Sequence, residues 1–281
     1  KLNSLRKYLA EPGRVLVSGA PEGHDAEILG DMAAATPSRV LMHVARDDAR
    51  MAQLAEAVAF FHPHLECLSF PAWDCLPYDR VSPNPQIVSQ RMETLNRLAA
   101  QGSAGPGGRL IITTINAVLQ RVPAGRSIAD VHLELAPKGT LDLDTFVRFL
   151  DCNGYTRSGT VSEPGDYAPR GGIIDIFPPG METPFRIDMF GDEIDNIRAF
   201  DPLSQRSAER VERLILTPVT EYQLDEDTIN RFREGYRELF GANTGDDPLY
   251  EAISAGRKHQ GAEHWLAFFH DNLETLFDYL P

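Results

Sequence analysis

The sequence predicts an α/β protein whose mostly parallel, helix-covered sheet is interrupted by an α+β segment. Three observations carry this expectation. Short apolar runs alternate with amphipathic stretches over residues 1–125, the pattern of strands and crossover helices. Alternating runs joined by turn residues crowd residues 173–200, the pattern of an antiparallel meander. Helical spacing returns beyond residue 218. The expected organisation is a first body segment at 1–125, an inserted α+β domain at 126–217 and a return to the body at 218–281.

Arg14 to Gly19 is an apolar run ending in glycine and reads as the first buried strand. Asp25–Ala35 sets Ile28, Leu29, Met32 and Ala33 on one helical face. Val40–Ala45 is the second strand, and Asp47 can cap a helix carrying Met51, Leu54, Ala55, Val58 and Phe61. Leu65–Phe70 is the third strand. After the loop Pro71–Pro85, a helix carries Val88, Met92, Leu95, Leu98 and Ala99. A Gly/Ser/Pro-rich linker at 102–108 precedes the fourth strand, Arg109–Thr114, which leads into Asn116–Arg121. Pro123–Gly125 breaks this rhythm. Leu133–Leu135 is a short strand candidate, and Asp142 or Asp144 opens a helix with Leu143, Phe146, Val147 and Leu150, stopped at Gly154. Strands at Ile173–Phe177, Phe185–Phe190 and Glu193–Phe200 follow, the last two joined at Gly191-Asp192. In the final segment Ile229, Phe232, Tyr236, Leu239 and Phe240 form an apolar stripe. No internal repeat is visible.

The composition of the 281 residues, 42% hydrophobic and 24% charged, is that of a globular domain and excludes a disordered or fibrous chain. No apolar run reaches the ~18 residues of a membrane span. The start, Lys1-Leu2-Asn3-Ser4, lacks an apolar core and a Met, and reads as an internal cut and not a signal peptide. Charge limits the partners. The net charge is −14, and it is graded: residues 1–125 balance, whereas 126–217 and 218–281 carry acidic excesses of 6 and 8. A protein that grips a phosphate backbone needs a basic stripe, so tight DNA binding by this chain is not expected. Cys67, Cys75 and Cys152 are an odd, scattered set, expected as packing residues in a reducing cytoplasm. His62-Pro63-His64 comes closest to a metal-ligand cluster, and a prolyl loop between helix and strand explains it equally well.

Catalytic patterns are thin. The unit Val15–Ala35 sits where a nucleotide-binding domain places its phosphate loop. Here the loop reads Ser18-Gly19-Ala20-Pro21-Glu22-Gly23-His24-Asp25-Ala26. His24 or Asp25 stands where the phosphate-binding Lys belongs. Glu22 and Asp25 would face a polyphosphate with negative charge, and Pro21 removes an N–H. Gly19, Gly23, His24 and Asp25 thus describe a degenerate loop that holds no nucleotide. Gly-x-Ser-x-Gly is absent. The acidic group Asp188, Asp192, Glu193 and Asp195 is the composition of a solvated turn. No catalytic residue and no metal site is expected.

A docking face is the stronger reading. Along Phe185–Phe190, Phe185, Ile187 and Met189 share one face, expected to pack near Phe146 and Leu150. Arg186, Asp188 and Phe190 share the other, which Arg170 can also reach. Arg and aromatic residues dominate interface hot spots. Truncating Arg186 or Phe190 is expected to weaken binding at least about tenfold without lowering stability. The competing reading buries Phe190 in a second small core and pairs Arg186 with Asp188.

Several long blocks then resemble the N-terminal UvrB-homology module of the bacterial transcription-repair coupling factor (Mfd) family. They are Phe70-Pro71-Ala72-Trp73-Asp74-Cys75-Leu76-Pro77-Tyr78-Asp79, Ser82-Pro83 with Ile87–Arg91, Gly165–Pro178, Pro184–Asp195, Phe200–Arg206 and Leu276–Pro281. The resemblance implies a degenerate P-loop-NTPase-like body, similar to UvrB domain 1, interrupted by a UvrA-binding α+β domain. It favours Mfd over UvrB. The phosphate loop lacks its Lys, and Tyr78 to Gln86 leaves no room for a damage-probing hairpin. It further implies a non-catalytic bacterial, cytoplasmic module that recruits UvrA to stalled RNA polymerase through Arg170, Arg186 and Phe190. The alternative is a UvrB-like or helicase-like ATPase fragment binding nucleotide and DNA. Contacts with RNA polymerase and DNA, together with ATP and Mg, are assigned by the resemblance to domains outside this sequence. So is a C-terminal domain that covers the UvrA patch. No membrane partner is implied.

Overall fold

The computed structural model describes residues 13–21, 23–36, 39–77, 79–100, 108–241 and 246–280. The chain begins with α1 (His24–Ala35), β1 (Val40–Ala45), α2 (Asp48–Phe61), β2 (Glu66–Phe70), α3 (Pro85–Ala99) and β3 (Arg109–Thr114). It continues through α4 (Ile115–Val118), β4 (Val122–Pro123), α5 (Gly125–Ala129), β5 (Leu133–Leu135) and α6 (Leu143–Cys152). Strands β6 (Thr156–Arg157), β7 (Asp166–Arg170), β8 (Ile173–Ile176), β9 (Phe185–Phe190), β10 (Glu193–Phe200), β11 (Ser207–Arg210) and β12 (Leu214–Leu216) follow. Helices α7 (Glu226–Phe240), α8 (Pro248–Ser254) and α9 (Leu266–Phe269) and the short β13 (Leu273–Glu274) complete it. The chain is therefore mixed α/β. No helix among the described residues is long and apolar enough to cross a membrane.

The chain divides into two compact units. The first comprises the described residues of 1–72, 101–120 and 276–281. It is built on a parallel sheet in the order β1-β3-β2. The central strand β3 is buried along its whole length, as its unbroken Leu-Ile-Ile run requires. Leu110 and Ile112 pack with Ala26 of α1 and with Met51, Leu54 and Val58 of α2. Asp47 caps α2, accepting from the Arg50 N–H at 2.8 Å. α1 approaches closely through Gly30, where a Cβ would lie 2.0 Å from the His62 ring. His62 of His62-Pro63-His64 makes that contact.

The expected strand at Arg14–Gly19 does not form. Arg14 to Ser18 has no sheet partner among the described residues, and Leu16 is 85% exposed. An apolar run reports a preference for burial, whereas a strand also needs a free edge in register. The linker residues 102–107 lie outside the described residues, as do Glu22 and Tyr78.

The second unit comprises the described residues of 73–100 and 121–275. Its main feature is a six-stranded sheet in the order β11-β10-β9-β8-β7-β6, antiparallel except for the β6–β7 pair. Asp142, and not Asp144, caps α6, accepting from the Thr145 N–H at 2.8 Å. Two strands flank this domain. β5 and β12 pair antiparallel, Leu133 opposite Leu216, so the incoming and outgoing chain lie side by side. β6, β7, β11 and β12 are too short or too polar to stand out in the sequence.

Glu221 organises the other half of this unit. Its carboxylate accepts from Arg91 Nε at 2.5 Å and Nη2 at 3.2 Å, and from Trp73 Nε1 at 3.1 Å. Both charged side chains are essentially inaccessible, at 0% and 1%. An aromatic cluster packs nearby in sequence: Tyr222 and Phe232 each stack on Phe269, with centroids at 4.5 and 5.0 Å. Of the expected stripe on α7, Phe232 and Tyr236 are buried but Leu239 and Phe240 are exposed. The loop before α3 is held by its own residues. Asp74 accepts from the Asn84 N–H, Asn84 caps α3, and Ser82 donates to Glu263 at 2.7 Å.

Breaking a buried ion pair leaves one charge in a low-dielectric site and costs about 3–5 kcal/mol, whereas replacing both partners with apolar residues is often neutral. Glu221→Ala is expected to lower stability by that amount in urea denaturation. Arg91→Met combined with Glu221→Leu is expected to lose much less.

Candidate functional site

Strand alternation builds the site. β9 sits in the middle of the sheet, and its odd-numbered side chains enter the core. Phe185, Ile187 and Met189 join Ile174, Ile176, Ile194 and Ile197 against Phe146 and Leu150 of α6. Their neighbours must then point outward. The ladder sets Arg170 opposite Ile173 and Ile173 opposite Asp188. Ala168 lies opposite Asp175, Asp175 opposite Arg186, and Arg186 opposite Arg198. Arg170, Arg186 and Phe190 thus share one outer face.

Phe190 is 84% exposed. The outer face does carry a small core, formed by Val161, Ala168, Phe177 and Phe200, but Phe190 is not part of it. Phe190 closes β9 immediately before Gly191, whose φ of +61° supplies the backbone that a two-residue hairpin turn requires. The β7–β8 turn uses Gly171 in the same way, with φ +61°. Arg170 and Phe190 therefore stand at the same end of the sheet. Arg170 is exposed and donates to the Gly159 carbonyl and, at 3.4 Å, to Thr160 Oγ1. It makes no ion pair among the described residues.

Arg186 is not paired with Asp188. Its Nε donates to Asp175 Oδ1 at 2.6 Å and its Nη2 to Asp175 Oδ2 at 2.8 Å. Asp188 instead accepts from Arg198 Nη2 at 2.5 Å. Asp175 stands directly opposite Arg186 in the ladder, whereas Asp188, opposite Asn196, reaches Arg198 diagonally. The signal was present in Ile173-Ile174-Asp175-Ile176, where one carboxylate interrupts an apolar run. Hydrogen bonding to Asp175 pushes the Arg186 guanidinium above its ordinary range, so it stays charged. The guanidinium carbon also lies 4.7 Å from the centroid of the Phe200 ring. Gln205, in the turn after β10, accepts from Nη2 at 3.3 Å and adopts a left-handed φ of +59°.

One expectation changes as a result. Arg186 cannot be truncated without cost, because Asp175 is 1% exposed and would be left buried without its cation. Phe190 can be.

The loop at Gly19–Asp25 belongs to the first unit. Gly19 and Gly23 both have positive φ, and Gly23 precedes α1. His24 bonds to Glu27 at 2.8 Å, within its own helix. Asp25 accepts from Arg50 Nη2 at 2.6 Å, and Asp47 from Arg46 Nε at 2.8 Å. An open depression of about 610 Å³ lies between these groups. Both cations beside it already face carboxylates, and Asp25 sits in the first turn of α1, where a phosphate would otherwise be favoured. Among the described residues no group of three or more His, Cys, Asp or Glu side chains is placed to hold a metal.

Residues 133–222, which carry this face, match the family model of the UvrB interaction domain. The matched span begins with β5 and ends just past β12. Over a longer stretch the chain is similar to bacterial transcription-repair-coupling factors, as the sequence blocks indicated. It is 37% identical to that of Rickettsia bellii over 228 residues, 81% of this chain and 20% of the relative. It is 37% identical to that of Escherichia coli K12 over 74% of this chain, and 30% identical to that of Staphylococcus aureus RF122 over 76%. The chain spans about a fifth of the length of these relatives.

Arg186→Ala is expected to lower the urea midpoint by the equivalent of about 3 kcal/mol, the cost of an orphaned buried charge. Phe190→Ala is expected to leave the midpoint unchanged, since its ring contributes no core packing.

Proposed function

We propose that this chain is a non-catalytic docking module of transcription-coupled repair. It recruits UvrA through Phe190, flanked by Arg170 and Arg186. The observation that carries the reading is Phe190 itself: a large aromatic side chain, 84% exposed, on the same sheet face as Arg170 and Arg186. Such an anchor gains most when a partner covers it. The match of residues 133–222 to the UvrB interaction domain supports the same reading. The relatives' name, transcription-repair-coupling factor, supports a role in repair linked to transcription.

The first unit, on this reading, is a phosphate-loop body that has lost its ligand. Asp25 and Arg50 satisfy each other where a nucleotide phosphate and its cation would meet. The chain itself needs no cofactor. RNA polymerase and DNA are engaged by other domains of the full-length protein, as are ATP and Mg, and one of those domains covers the Phe190 patch until it is needed. The site of action is the bacterial cytoplasm.

Calorimetric titration with purified UvrA tests the docking role. Phe190→Ala is expected to weaken binding at least about tenfold, and wild-type affinity in that variant would sink the proposal. The rival reading, an ATPase fragment, requires heat on titration with Mg-ATP. None is expected.

A further inference from the structure

We propose that Asp175 is a positioning residue that presets Arg186 for docking and restricts the group it meets to a lone acceptor. The inference rests on the docking reading above. A guanidinium has five N–H donors, one on Nε and two on each terminal nitrogen. Three are taken within the domain. Nε and one Nη2 donor grip the two oxygens of Asp175 at 2.6 and 2.8 Å, and the other Nη2 donor reaches Gln205 at 3.3 Å. One face of the group lies against Phe200. Among the described residues the Nη1 donors have no partner, so they remain for one.

Two consequences follow from that arrangement. First, a carboxylate that docks bidentately needs two parallel donors along one edge of the guanidinium. Asp175 occupies one such edge and Gln205 interrupts the other. Arg186 is therefore met through Nη1 by a single acceptor atom of UvrA and not by a bidentate carboxylate. Secondly, the ordering of a long side chain is completed on folding, so it is not charged against binding. Asp175 can do this because it is fixed itself: it is buried on β8, directly opposite Arg186 in the ladder.

Two experiments test this. In the free chain, the Arg186 Nε–H is expected to give a slowly exchanging nitrogen–proton NMR signal that broadens or disappears in Asp175→Asn. A rapidly exchanging signal in the wild type would overturn the proposal without reference to any partner. In titrations with UvrA, Asp175→Asn is expected to weaken binding about fivefold or more. The double variant Asp175→Asn with Arg186→Ala should bind within about twofold of Arg186→Ala alone, because residues acting through one group are not additive. Arg186→Lys, which keeps the charge but cannot form the fork, serves if Asp175→Asn does not fold. It is expected to bind as poorly as Arg186→Ala. Wild-type affinity in Asp175→Asn or Arg186→Lys, or independent losses in the double variant, would overturn the positioning role. Phe190→Ala separates the two claims. If it binds normally, the docking reading fails and takes this inference with it. If it binds weakly while Asp175→Asn binds normally, only the positioning role fails.

Discussion

The outer face of the six-stranded sheet is a by-product of its inner one. Each of Phe185, Ile187 and Met189 that turns towards α6 obliges Arg186, Asp188 and Phe190 to turn away. A slip of β9 by one residue would exchange the two sets and bury the Arg186 guanidinium, the Asp188 carboxylate and the Phe190 ring on the wrong side. The apolar packing against Phe146 and Leu150 thus fixes the register, and the register fixes which chemistry reaches solvent. Binding residues on such a scaffold inherit the stiffness of the core beneath them.

Side chains on that face fall into two kinds. Asp175–Arg186 and Asp188–Arg198 are internal pairs, and their charges largely cancel. Arg170 and Phe190 are free of such ties to carboxylates or to a core. The face is consequently less basic than a count of its arginines suggests, in keeping with an acidic chain whose residues 126–217 carry more carboxylates than cations. On the proposed docking role, recognition there depends on shape and on directed hydrogen bonds more than on long-range attraction.

Much of this was legible in the sequence, and what was missed has physical causes. The parallel strands Val40–Ala45 and Arg109–Thr114, the helix capped by Asp47 and the alternation of Phe185–Phe190 all announce themselves by period and by capping residue. The exposure of Phe190 followed from that alternation. The partner of Arg186 did not, because cross-strand register is a property of two segments and the sequence shows only one at a time. Arg14–Gly19 misled for the opposite reason: a strong local preference for burial met no edge to join. The short strands β6 and β7 escaped notice because Asp166–Arg170 holds a proline and two charges among five residues. Glu221 gave no sign of its importance, since nothing local distinguishes a buried carboxylate from a solvated one until Arg91 and Trp73 close on it.

The pairing of β5 with β12 has a wider implication. A segment whose two ends are zipped together is, to the chain on either side, equivalent to a tight turn. The intervening residues can lengthen, shorten or be exchanged for another fold while the host sees the same closure. A binding surface mounted this way can evolve as a cartridge, changing its specificity without renegotiating the stability of the polypeptide into which it is spliced.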